Sequence, residues 1–149
     1  MHVRGIACGN KTRQKIIRVY MGKKKGSESD MNEILRIMVR LKETMEVTGK
    51  TGCARMIAFT GEAEGPYFHG TILPHGVDTQ KVMKGKSLQL SARYMLEGVD
   101  ANGTPCRLFI ENNGEETSDG LRTSPRIYTD SEALSWLEET CLTGSIEGC

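Results

Sequence analysis

The sequence predicts a mainly β chain folded as an antiparallel β-barrel with one short C-terminal helix. Three observations predict it. Apolar and polar residues alternate with a period of two over several stretches. Those stretches recur at roughly ten to fifteen residues with turn signals between them, the spacing of a sandwich or barrel. Glycine is frequent, 17 residues against four prolines, as the tight turns and bulges of antiparallel sheets require.

The elements follow in order. Residues 1–30 carry eight Lys or Arg against Glu28 and Asp30, a balance of +6. A short apolar patch, Ile16-Ile17-Arg18-Val19-Tyr20-Met21, lies among them, and Lys23-Lys24-Lys25-Gly26-Ser27 is a charged run. This composition predicts a basic extension over residues 1–31, disordered or outside the core, with the barrel domain spanning 32–149. A nucleic-acid or membrane-contacting arm, a transit peptide and an overextended reading frame are the other readings of this stretch.

From Asn32 the two-residue period begins. Leu35, Ile37, Val39 and Leu41 share one face, and Arg36, Met38, Arg40 and Lys42 the other, which predicts a half-buried strand. Gly49-Lys50-Thr51-Gly52 is a turn, Arg55–Thr60 a second strand and Tyr67–Leu73 a third. Pro74-His75-Gly76-Val77-Asp78 is read as a loop. Leu88, Leu90, Ala92, Tyr94 and Leu96 then alternate with Gln89, Ser91 and Arg93. Asp100-Ala101-Asn102-Gly103 is a hairpin turn, Cys106–Asn112 its partner strand, Asn113-Gly114 another turn and Arg126–Tyr128 a short strand. Thr129-Asp130-Ser131-Glu132 fits a capping box opening the helix, with Ala133, Leu134, Trp136 and Leu137 on its apolar side. Cys141–Ile146 closes the chain as a strand.

Several function classes are excluded or disfavoured. Residues 31–149 carry 12 basic and 17 acidic residues, so nothing in the folded part attracts nucleic acid. No apolar stretch is long enough to span a membrane. The five cysteines are odd in number and none forms C-x-x-C spacing, which leaves a zinc site or disulfide framework unsupported and suits a reducing, cytoplasmic setting. Phosphate-binding glycine loops, G-x-S-x-G and H-E-x-x-H are absent from the sequence. No cofactor and no metal are expected.

The run Gly61-Glu62-Ala63-Glu64-Gly65-Pro66-Tyr67-Phe68-His69-Gly70-Thr71-Ile72-Leu73-Pro74-His75-Gly76-Val77-Asp78-Thr79-Gln80 resembles the signature of a bacterial family catalogued as domain of unknown function 3237, or uncharacterised protein family 0311. Ala92-Arg93-Tyr94, Asp100 to Gly103, Ile110-Glu111-Asn112-Asn113-Gly114 and Trp136-Leu137 continue it in order. The resemblance covers about residues 33–147. It implies a lipocalin-like antiparallel barrel and almost nothing about chemistry.

The candidate ligand-binding residues are Asp78, Arg93, His75 and Glu111. A mid-strand arginine in a small barrel either faces water or is paired inside. If Arg93 points into the lumen, Asp78 or Glu111 neutralises it, and its guanidinium suits a carboxylate or carbonyl. His75 is then a loop acid or base at the rim. The other reading has Leu88, Leu90 and Leu96 filling the lumen and Arg93 in water. The aromatic residues Tyr67, Tyr94, Tyr128 and Trp136 read as core rather than pocket. The expected function is binding of a small carboxylate or carbonyl compound at one barrel mouth, with any transformation of it left open. The alternative is a non-enzymatic structural or protein-interaction barrel, and self-association is left open. A single-strand binder served by the basic arm is a third, weaker reading.

Overall fold

The computed structural model describes residues 14–22, 31–118 and 120–148. Strands β1 (Gln14–Met21), β2 (Asn32–Thr48), β3 (Gly52–Glu64), β4 (Phe68–Ile72) and β5 (Gly76–Met83) are followed by β6 (Gln89–Asp100), β7 (Pro105–Thr117) and β8 (Gly120–Thr129). A 3-10 helix (Glu132–Glu139) then leads into β9 (Leu142–Gly148). Every pairing is antiparallel, and consecutive strands are neighbours around the ring, which closes where β9 pairs with β1. The chain is therefore an up-and-down barrel without a free edge between its first and last strands.

Among the described residues nine strands fill eight ring positions, because β4 and β5 share one. Both pair with β3 on one side and β6 on the other, β4 at one end and β5 at the other. Leu73-Pro74-His75 interrupts this shared position. Leu73 N–H donates to the Met95 carbonyl at 2.8 Å, and His75 takes the left-handed conformation with φ 82, uncommon for a residue other than glycine.

Residues 14–21 correct the expected domain boundary. They form β1, pair with both β2 and β9, and place Ile17 and Val19 in the hydrophobic core at 5% and 0% exposure. The basic residues masked a strand whose inward positions are Lys15, Ile17 and Val19. The rest of the expected extension, residues 1–13 and 23–30, lies outside the described residues.

The expected strands are present, and three local readings change. Gly76–Met83 is a strand rather than part of a loop and an unassigned stretch. Asn113-Gly114 is not a turn, because β7 continues through it, paired with β6 and β8. A Cβ at Gly114 would collide with the Arg122 carbonyl oxygen, so the glycine serves close strand approach. The capping box does not form. Thr129 Oγ1 instead donates to the Arg107 carbonyl at 2.8 Å, and Ser131 precedes the helix without a side-chain cap.

The helix is a 3-10 helix that covers one end of the barrel. Leu134 and Leu137 are buried there in the same cluster as Phe68, Cys106, Leu108 and Leu142. Trp136 is half-buried and meets Tyr67 edge-on at 5.2 Å. Asp100 ties the helix entry to the β6–β7 turn: it accepts from the Asn102 and Thr104 N–H groups at 2.9 and 3.1 Å and from Ser131 Oγ at 3.1 Å. At the opposite end the β2–β3 hairpin projects, with residues 42–48 of β2 exposed.

The outer wall carries ion pairs such as Arg18–Glu33 at 3.1 Å and Arg107–Glu97 at 2.8 Å. Each contributes about 0–1 kcal/mol at the surface. No helix among the described residues is long and apolar enough to cross a membrane.

Candidate functional site

Side chains in a sheet alternate between faces, and cross-strand partners share one. Applied to this register, the rule sorts the interior into rows. The deepest useful row runs Tyr94, Ile110, Ile127 across β6, β7 and β8. The next runs Ile57, Asp78, Ala92, Asn112, Pro125 from β3 to β8. The row nearest the hairpin end runs Arg55, Gln80, Leu90, Gly114, Thr123, Gly144. Toward the helix the interior is apolar, with Ile37, Leu96, Leu108 and Ile110 each at 1% exposure or less. Toward the hairpin it becomes polar.

That polar half contains side chains that bury hydrogen-bonding atoms without satisfying them. Gln80 and Asn112 are 1% and 0% exposed, Tyr94 2% and Thr123 3%. Gln80 Nε2 donates to Asp78 Oδ2 at 2.9 Å. Asp78 Oδ1, Gln80 Oε1, the Tyr94 hydroxyl, both amide atoms of Asn112 and Thr123 Oγ1 are buried with no partner. Such atoms are rare in folded proteins, and each costs about 1–3 kcal/mol. Here they lie on four neighbouring strands, β5 to β8, at inward-facing positions.

Two charged groups join them. Lys15 on β1 is buried at 6% exposure. Burial pushes its amine below the usual lysine range, with the attraction of Asp78 opposing and Arg55 adding to the fall. Burial pushes the Asp78 carboxyl up, against the Gln80 hydrogen bond and Lys15. The Tyr94 hydroxyl is also raised, by burial and then by Asp78, and stays protonated. Arg55 faces inward beside them, held by Glu46 at 3.0 Å. The set offers neutral donors, carboxyl and amide acceptors and an amine. Among the described residues no three His, Cys, Asp or Glu side chains come together as a metal would require.

Of the four residues singled out from the sequence, only Asp78 faces this interior. Arg93 is the cross-strand partner of Val77, not Asp78, so it points outward, and its side chain is 65% exposed. Glu111 is Arg93's partner on β7 and pairs with it there at 3.6 Å. His75 is exposed at the break between β4 and β5. The structure therefore corrects the expected site. Arg93 and Glu111 form a surface pair beside an outer trough of about 940 Å³, which Arg93, Ser91 and Thr79 help to line. They do not meet Asp78 in the lumen, because Tyr94, Ala92 and Leu90 already occupy the inward positions of β6. The residues missed, Gln80, Asn112, Thr123 and Lys15, share a legible signal: each is a polar side chain at an inward-facing step of its strand.

The fold and interior define a class, a closed up-and-down β-barrel with one apolar, helix-capped end and one polar end. The chain belongs to the DUF3237 family of proteins of unknown function, whose family model matches residues 29–115. That match contains Asp78, Gln80, Tyr94 and Asn112; Lys15 and Thr123 lie outside it. The chain is 35% identical over 72 residues to a UPF0311 protein of Clostridium acetobutylicum, a match spanning 48% of this chain and 39% of that relative. Among solved structures, a protein of unknown function from Clostridium acetobutylicum is similar with a TM-score of 0.63 and 26% identity, over 78% of this chain and 96% of that one. A conserved protein of unknown function from Rhodopseudomonas palustris matches with a TM-score of 0.57 over 90% and 93% of the two chains. At 18% identity, it shows the shared fold alone.

Proposed function

We propose that the barrel binds one small polar organic molecule in the hairpin-side half of its interior. The observation that carries this reading is the convergence of buried, unpartnered polar atoms on Asp78, Gln80, Tyr94, Asn112 and Thr123. A barrel serving only as a scaffold or interaction surface gains nothing from them. Replacing such groups by apolar ones of similar size is neutral or stabilising, so their presence suits a molecule that supplies the missing partners. The mixture of donors and acceptors fits a ligand bearing both a carbonyl and a hydroxyl, amide or carboxyl group.

The test is extraction. Protein purified under native conditions from its own cells is denatured, and the released small molecules are compared by mass spectrometry with those from the Asn112→Leu variant. The reading predicts a molecule released in about equal amount to the wild-type protein and lost in the variant. Wild-type protein that releases nothing above background contradicts it.

A further inference from the structure

We infer that Lys15 is a covalent attachment point for an aldehyde or ketone, its amine forming an imine with a carbonyl compound held beside Asp78. The inference rests on the interior-binding reading above and adds the chemical class of the ligand.

Placement comes first. The inward positions of β1 are fixed by Ile17 and Val19, both in the core, so the two-residue period carries Lys15 inward as well. Long lysine side chains ordinarily reach for water. The other lysines of the described residues, Lys42, Lys50, Lys81, Lys84 and Lys86, are all exposed. Lys15 feels Asp78 electrostatically, and among the described residues the ion pairs do not include the two. Its amine is therefore not consumed by a structural salt bridge. Arg55, the other inward cation, is taken by Glu46 at 3.0 Å.

The surroundings suit the chemistry. A solvated ammonium has no lone pair to offer, and desolvation shifts a lysine toward the neutral amine. Burial pushes Lys15 down and Asp78 up. Both shifts favour amine plus carboxylic acid over ammonium plus carboxylate. The unpartnered Tyr94 hydroxyl and Asn112 amide are donors available to a carbonyl oxygen.

In the step itself, the Lys15 nitrogen bonds to the carbonyl carbon while the carbon–oxygen π bond opens. One amine proton passes to that oxygen, giving a carbinolamine. The Asp78 carboxyl then protonates the hydroxyl, which leaves as water, and the second nitrogen proton returns to the Asp78 carboxylate. Amine and carbonyl become imine and water, with no change of oxidation state and with Asp78 regenerated.

The experiment uses the full chain at neutral pH with 4-hydroxybenzaldehyde and sodium cyanoborohydride, which reduces an imine to a stable secondary amine. Peptide mapping by mass spectrometry then locates the label. Lys15 is expected to be labelled ahead of the exposed lysines, and Asp78→Asn to slow labelling at Lys15 alone, by about 10²-fold as for loss of a general acid. Wild-type mapping decides the main point without any variant. Labelling of Lys15 no faster than of Lys42, Lys50, Lys81, Lys84 and Lys86 overturns the inference. Thermal-shift titration with 4-hydroxybenzyl alcohol, which lacks the carbonyl, separates the two readings. Saturable binding of the alcohol with no labelling of Lys15 overturns the imine and leaves interior binding standing.

Discussion

Asp78 and Asn112 are both cross-strand partners of Ala92, one from β5 and one from β7, so a carboxyl and a carboxamide face the interior on either side of a methyl group. Asn112 is fully buried, and neither amide atom has a partner. Asn112→Leu keeps the branching of the side chain and removes the orphaned atoms. It is expected to stabilise the empty barrel by about 1–3 kcal/mol, read from the midpoint of urea unfolding. A loss of stability shows that the amide is satisfied in the folded protein.

Removing residues 1–30 is expected to abolish cooperative unfolding. The truncation deletes β1, which lies between β2 and β9, and takes Ile17 and Val19 out of the core. It also exposes two long strand edges to association with other chains. The milder Ile17→Ala is expected to cost about 2–5 kcal/mol. A cooperative melt of the truncated chain at the wild-type temperature contradicts the assignment of β1 to the barrel.

The 3-10 helix is held by its leucines more than by its tryptophan. Leu137 is 4% exposed, whereas Trp136 is half-buried against the exposed Tyr67. Leu137→Ala is expected to cost about 2–5 kcal/mol, and Trp136→Ala less than Leu137→Ala. Chemical denaturation of the two variants checks the order, and the reverse order contradicts this account of how the helix caps the barrel.

Asp100 makes the capped end sensitive to acid. Burial alone would raise its carboxyl, but the Thr104 and Asn102 N–H groups and the Ser131 hydroxyl outweigh it, and the net position is below the usual range. A carboxyl lowered on folding contributes stability that is full above the unfolded value, about 3.9, and lost as pH falls through the lower folded value. Wild-type stability should therefore decline in that window, and Asp100→Asn should decline less steeply there. Trp136, the sole tryptophan, reports the helix by fluorescence. Equal acid slopes in the two proteins contradict the role given to Asp100.

Most of the barrel was legible because burial and period coincide. The inward set of β6, Leu90, Ala92, Tyr94 and Leu96, and that of β2, Leu35, Ile37 and Val39, emerge from alternation alone and are buried. β1 was not legible, since Ile16 and Ile17 blur the alternation and a lysine occupies an inward position. β5 failed for a related reason. Its inward steps at Asp78 and Gln80 are polar, while Val77 faces out beside Arg93, so the hydrophobic pattern is inverted over those residues. Local rules fail where function competes with stability, and both strands that were hard to read, β1 and β5, contribute polar side chains to the candidate site. The placing of Arg93 inside followed from taking the polar face of β6 as the lumen; the register puts that face outside.

A crystal structure of protein purified from its own cells shows whether the polar half of the interior is a ligand site. The account predicts electron density for an ordered organic molecule in contact with Asp78, Tyr94 and Asn112. A collapsed, ligand-free interior in which the Asn112 amide and the Tyr94 hydroxyl are satisfied by other side chains of the barrel would contradict it.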